Sequence, residues 1–168
     1  MMKQNSHSPL NILNHIAIAI FIDLCKAFDT VNYALLISKL PYYGITDIEQ
    51  KWFKNYLTDR VQYVQYDGKH SQKVEVTCGV PQGSVAGPLL FLLYVNDIFN
   101  ATSLFTLLYA DDTTFIASGP EEGLVNWANK ELVKTQMWFQ VNKLTLHPKN
   151  TRLKVFRNNN LHTWILLH

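Results

Sequence analysis

The sequence predicts an α+β domain on three observations. An isoleucine-rich apolar run reads as a buried strand, two stretches alternate around turn residues as hairpins, and several segments carry apolar residues at helical spacing. With 168 residues, 48% hydrophobic and 12% aromatic, the chain can bury an ordinary core in one domain.

Residues 1–14 are polar, broken by Pro9, and read as a tail or a truncated lead-in. The run His15–Leu24, HIAIAIFIDL, is nearly all apolar until Asp23, so it reads as a buried strand ending at a carboxylate. A charge in such a place needs a counter-charge, a metal ion or water at the strand's end. Asp29 and Thr30 sit where a helix is capped, Asn32–Leu40 has helical spacing, and Pro41 ends it. After the turn at Gly44, Asp47 is expected to cap a second helix reaching about Leu57, its face of Trp52, Phe53 and Tyr56 suited to a core. Arg60–Tyr66 and Gln72–Thr77 alternate in period two around Asp67-Gly68, the mark of a hairpin.

Cys78–Ser84, CGVPQGS, breaks the alternation with two glycines and a proline, and sets the polar Gln82 between Pro81 and Gly83. Pro88–Phe99 is a strongly apolar helix candidate. Leu104–Ala117, LFTLLYADDTTFIA, has two strand-prone arms meeting at Asp111-Asp112, so both carboxylates fall in a hairpin turn. Glu121–Asn142 reads as an amphipathic helix, acidic at its start and basic towards its end, and Arg152–Phe156 as one more strand.

The formal charge is only +2, but its distribution is uneven. Between Val74 and Asn129 there is no Lys or Arg, while Glu75, Asp97, Asp111, Asp112, Glu121 and Glu122 fall there; beyond it Lys130, Lys134, Lys143, Lys149, Arg152, Lys154 and Arg157 face Glu131 alone. An acidic centre beside a basic tail suits metal ions next to a polyanion, or is simply uneven surface charge. Cys25 and Cys78 are too few for a disulfide-built domain and read as small core residues. No Cys and His cluster has zinc-ligand spacing, and no apolar run approaches a membrane span or a signal-peptide core. The expectation is a soluble intracellular protein of nucleus or cytoplasm.

Three carboxylates stand out: Asp23 at a strand end, and Asp111 with Asp112 at a hairpin turn. Hard cations such as Mg²⁺ take oxygen ligands, often one or two carboxylates plus substrate phosphates, and two such ions can clamp both oxygens of a phosphoryl displacement. The plain alternative is an exposed Asp-Asp turn.

FIDLCKAFDTVNYALLISKL, GVPQGSVAGPLLFLLYVNDI and LLYADDTTFIAS resemble motifs A, B and C of the reverse transcriptases of non-LTR retrotransposons, in order and at the right spacing. WFKNYL resembles that family's connecting segment, and WFQVNKLTLHPKNTRLKVF its motif D, with departures at His147 and Asn150. Tyr33 and Ala86 also depart from the family's usual residues. The resemblance implies a polymerase palm in residues 15–157, an antiparallel sheet with helices packed on one face. It implies two Mg²⁺ ions, with Mn²⁺ able to substitute, bridged by Asp23 and Asp111 and supported by Asp112. It also implies a catalytic role for Lys149 at the pyrophosphate, a gate against the ribose 2′-hydroxyl at Phe28 (or a core Phe there), nucleotide contacts from Gln82 and Gly83, and primer contacts from Tyr109 and Ala110. The reaction implied is addition of deoxynucleotides to a DNA primer on an RNA template.

The resemblance covers the palm motifs alone, and residues 1–14 and 158–168 are expected to be tails, with fingers and thumb expected to be missing. Such a chain is expected to hold ions yet to grip primer and template poorly. The other reading is a folded remnant without catalysis, or a module that binds RNA or protein. Oligomeric state is not legible.

Overall fold

The computed structural model describes residues 15–147, 149–157 and 163–166. The chain opens with β1 (His15–Ile22), passes through a 3-10 turn at Ala27–Asp29, and forms α1 (Tyr33–Lys39) and α2 (Asp47–Leu57). Four short strands follow, β2 (Val61–Gln62), β3 (Gln65–Tyr66), β4 (Lys69–His70) and β5 (Val74–Glu75), paired β2 with β5 and β3 with β4. Next come α3 (Ala86–Val95), β6 (Phe105–Tyr109), β7 (Asp112–Pro120), α4 (Glu121–Val141), β8 (Arg152–Arg157) and β9 (Thr163–Leu166). The five longer strands form one antiparallel sheet in the order β6-β7-β1-β8-β9. The architecture is therefore α+β, as expected.

Alternation within the apolar run decides which way β1 faces. Ile16, Ile18, Ile20 and Ile22 are buried in the core with Leu36, Leu90, Phe91, Tyr94, Phe115 and Phe139. The small Ala17 and Ala19, with half-open Phe21, take the opposite face, which the helices leave uncovered. Register locks the arrangement: Ile22 pairs with Thr113 of β7, and Phe21 with Arg152 of β8.

Several local expectations need correction. The cap of α1 is Asn32, whose Oδ1 accepts from Leu35 N at 3.1 Å, rather than Asp29 or Thr30. Asp29 lies in the 3-10 turn and its carboxylate is used elsewhere. Thr46 precedes α2, and Asp47 begins it with φ of +49°. Phe53 and Tyr56 pack against the core, whereas Trp52 is 54% exposed and stacks on Tyr56. In α4, Glu122 and Gly123 leave helical geometry, so the regular helix starts after them. Neither cysteine is in the core: Cys78 is exposed and Cys25 half-buried. β9 falls in the stretch read as a tail and extends the sheet beyond β8. The amino-terminal tail read from the sequence lies outside the described residues.

The helical layer is tied by buried polar contacts. Tyr94, fully buried, donates its hydroxyl to Asn142 O at 2.6 Å and so joins α3 to the end of α4. Lys39 donates to Tyr94 O at 2.7 Å and Asp97 Oδ1 at 2.8 Å, while its Nζ lies over the Tyr94 and Trp138 rings. Burial holds its pKa below that of an ordinary lysine, and Asp97 acts in the opposite sense. Glu131 of α4 is buried and accepts from Lys134 Nζ at 2.5 Å, Ser103 N at 2.7 Å and Thr102 Oγ1 at 3.0 Å. These donors hold its pKa at about 2. No helix among the described residues is long and apolar enough to cross a membrane.

Gly79 marks a close passage of the chain. Its N–H donates to Val31 O at 2.8 Å, and a Cβ there would stand 2.7 Å from Asp29 O, on a backbone with φ of +87°. Gly79→Ala is expected to destabilise the domain by roughly 1–3 kcal/mol, since the left-handed backbone and the contact both oppose a side chain; an unchanged urea midpoint would remove this account. For Glu131 the folded pKa is depressed, so its stabilisation is present above about pH 4.5 and is lost as pH falls towards 2. Melting curves should show Glu131→Gln below wild type at pH 7, the gap narrowing through that acid window.

Candidate active site

The β6–β7 hairpin closes with Tyr109 opposite Asp112, leaving Ala110 and Asp111 as a two-residue turn. Ala110 takes φ of +52°, a conformation that costs free energy in any residue with a Cβ and is normally given to glycine or asparagine. Asp111 is half-buried and Asp112 exposed, while Tyr109 is exposed. Continuing the pairing of Ile22 with Thr113 by one step sets Asp23, the next residue of the β1 chain, across from Asp112. The register thus brings Asp23, distant in sequence, to the end of the sheet where the adjacent Asp111 and Asp112 stand.

Asp23 is fixed by the segment ahead of β8. Its backbone oxygen accepts from His147 N at 2.8 Å, Cys25 N donates to Thr145 O at 2.8 Å, and Leu24 bridges Leu146. Its side-chain Oδ2 accepts from Asn150 Nδ2 at 2.6 Å. Lys149 is exposed in the same turn, so the residue joined to Asp23 is its neighbour Asn150. The Nδ1 of His147 is buried without a hydrogen-bond partner.

The donor set suits a hard cation, because carboxylate oxygens are the ligands that Mg²⁺ prefers. Among the described residues no group of three or more His, Cys, Asp and Glu could hold an ion by itself. Mg²⁺ sites in phosphoryl-transfer proteins commonly rest on one or two carboxylates and take the remaining ligands from substrate phosphate and water. The acidic edge fits that arrangement.

Phe28 packs its ring on Phe91, centroids 4.5 Å apart, and is half-buried against the core. Gln82 donates to Asp29 Oδ1 at 2.8 Å, which gives this polar side chain its local purpose. Gly83 follows with φ of +74° on the exposed side of the loop. Beside them opens a cleft of about 670 Å³ lined in part by Lys26, Asp29, Arg60, Glu75, Gly79 and Gln82. Neither Phe28, Gly83 nor any of the three aspartates is among its lining residues. The side chains bordering it therefore mix two cations with two carboxylates.

Sequence reasoning named Asn150 only as a departure within motif D and Arg60 only as the start of a hairpin arm. The first becomes visible only when the chain returns to Asp23 from 127 residues away, and the second sits in a stretch read as a plain hairpin. Tyr33 is pushed above the usual tyrosine pKa by burial, with Arg60 acting against that shift.

A family model for reverse transcriptase (RNA-dependent DNA polymerase) matches residues 2–159. The chain is 41% identical over 86 residues to a probable RNA-directed DNA polymerase from transposon BS of Drosophila melanogaster, covering 48% of this chain and 9% of that protein. It is 25% identical over 141 residues to a retrovirus-related Pol polyprotein from a type-1 retrotransposable element of Popillia japonica, covering 76% of this chain and 22% of that one. It therefore spans a small part of the curated relatives it matches. Among solved structures, apo telomerase from Candida tropicalis, truncated from its C-terminal domain, superposes with a TM-score of 0.63 over 89% of this chain and 33% of that one; at 14% identity this likeness concerns the fold. With the matched model covering most of its length, the chain belongs to the reverse transcriptase family, related to the enzymes of non-LTR retrotransposons.

Proposed function

We propose that this chain is the palm of an RNA-directed DNA polymerase and carries its bond-forming centre. The observation that carries the reading is the shared sheet edge of Asp23, Asp111 and Asp112, set by the β1–β7 register and the two-residue turn. Family membership supports it, since the family is that of RNA-dependent DNA polymerases.

In this reading the oxygen of the primer 3′-hydroxyl attacks the α-phosphorus of a deoxynucleoside triphosphate. A phosphodiester P–O bond forms, the α–β phosphoanhydride breaks, and pyrophosphate leaves. Asp23 and Asp111 would hold two Mg²⁺ ions, or Mn²⁺, with Asp112 in support; the ions supply positive charge at the attacking and leaving oxygens. The carboxylates' part is to hold that charge in a fixed place, so that little reorganisation is needed when the bond forms. Tyr109 and Ala110, exposed at the tip, are assigned to the primer end, and Gln82 and Gly83 to the nucleotide. Lys149, exposed in its turn, is assigned to protonation or neutralisation of the departing pyrophosphate. Phe28 is assigned to the ribose gate, a role compatible with packing on Phe91 because a wall that discriminates must itself be held.

With a primed RNA template, deoxynucleotides and Mg²⁺, the purified chain is expected to extend primer weakly and Asp111→Ala to abolish extension. Full extension by the variant would overturn the carboxylate assignment, and a wild-type chain that extends nothing would overturn the assignment of polymerisation to this chain. Phe28→Val should raise use of ribonucleotides relative to deoxynucleotides. A variant that only melts earlier, with its discrimination unchanged, would assign Phe28 to packing alone.

A further inference from the structure

Asp23 is gripped twice by one turn. His147 N donates to its backbone oxygen at 2.8 Å, and Asn150 Nδ2 to its carboxylate Oδ2 at 2.6 Å. The turn is itself closed on His147: the carbonyl of that residue accepts from Asn150 N at 3.1 Å, Thr151 N at 3.2 Å and Thr151 Oγ1 at 3.2 Å. Leu24 bridges Leu146, and Cys25 N donates to Thr145 O, so the chain leading into the turn is also sewn to the two residues that follow Asp23. The amide of Asn150 is therefore presented by a braced backbone rather than by a free side chain on a loop.

We propose that Asn150 is a positioning residue for Asp23, fixing the direction in which its carboxylate faces a divalent cation. The inference rests on the metal-binding reading of Asp23 given above. Two chemical points favour it. A carboxylate has two oxygens with about four lone-pair sites, and one amide donor occupies a single site, leaving the rest for a cation. The donor is also neutral, so it orients the group without cancelling the charge that attracts the ion. Outer contacts of this kind set the rotamer of a ligand, and their loss typically lowers metal affinity or activity by about 10–100-fold. The adjacent Lys149 could not substitute without bringing a competing positive charge to the same oxygen.

The test is a Mn²⁺ titration of the whole chain, read by thermal shift, with melting in chelator as the metal-free control. Wild type should show a saturable rise that Asp23→Asn removes. Asn150→Ala should move the titration midpoint to about 10–100-fold higher Mn²⁺ with little change in metal-free melting. Asn150→Gln, which keeps the amide on a longer side chain, should recover part of the loss. An Asn150→Ala midpoint equal to wild type, in a protein where Asp23→Asn abolishes the shift, overturns the positioning role and leaves the metal assignment standing. A drop in metal-free melting with an unchanged midpoint overturns it too, by making Asn150 a brace of the turn only. If wild type shows no saturable shift, or Asp23→Asn keeps it, the metal assignment fails and the positioning role fails with it.

Discussion

The antiparallel register of β1 against β7 is the constraint on which the rest of the molecule depends. Side chains alternate across a strand, so a slip of one residue would turn Ile16, Ile18, Ile20 and Ile22 out of the core and bring Ala17, Ala19 and Phe21 into it. Burying a large aliphatic side chain is worth roughly 1.5–3 kcal/mol, and four of them fix the register far more firmly than any polar contact at the strand's end could. That same register carries Asp23 to the side of Asp112. The apolar face thus sets the position of the acidic edge, and the carboxylates need contribute nothing to stability in order to be held in place.

The acidic edge is also served by the layer behind it. Gly79 lets the loop before α3 pass against the 3-10 turn that follows Asp23, with Gly79 N on Val31 O and Val80 N on Phe28 O, each at 2.8 Å. Phe28 is thereby held between that loop and Phe91 of α3. On the far side, Glu131 fastens α4 to Thr102 and Ser103, just ahead of β6, and so steadies the strand that leads into the hairpin turn. The polar groups of Glu131, Tyr94 and Lys39 are placed where elements must be fixed relative to one another, and each has hydrogen-bond partners there.

Much of this was legible because local pattern and tertiary role agree. The apolar run HIAIAIFI as a strand, the Asp67-Gly68 turn with φ of +48° and +70°, and the two strand-prone arms of LFTLLYADDTTFIA read as they fold, except that Asp112 opens β7 and only Asp111 shares the turn, with Ala110. Asn32 was missed as a cap because Asp29 and Thr30, three and two positions earlier, are also capping residue types; in the fold the Asp29 carboxylate instead accepts from Gln82 of a distant loop. The cysteines were misread because preference for burial is a property of the residue type, whereas Cys78 sits in a loop shaped by Gly79. The Asn150 contact had no local signature, since an asparagine beside a proline-containing turn has an ordinary reason to be there.

The uneven charge of the sequence acquires a spatial meaning once β8 is seen beside β1. Phe21 pairs with Arg152, Ala19 with Lys154 and Ala17 with Phe156, so these residues share the face of the sheet that the helices do not cover. On β6, Phe105, Leu107 and Tyr109 are exposed as well. Of the basic carboxy-terminal stretch, Arg152 and Lys154 therefore lie on the open face, Arg152 nearest the end of β1 that leads to Asp23, and the acidic central stretch supplies Asp111 and Asp112 at that end. Cations spread along a surface attract a polyanion at long range, whereas carboxylates gathered at one end repel it unless metal ions lie between them. In this fold both signs reach one open face because β8 lies antiparallel to β1, with Arg152 beside Phe21 and Lys154 beside Ala19.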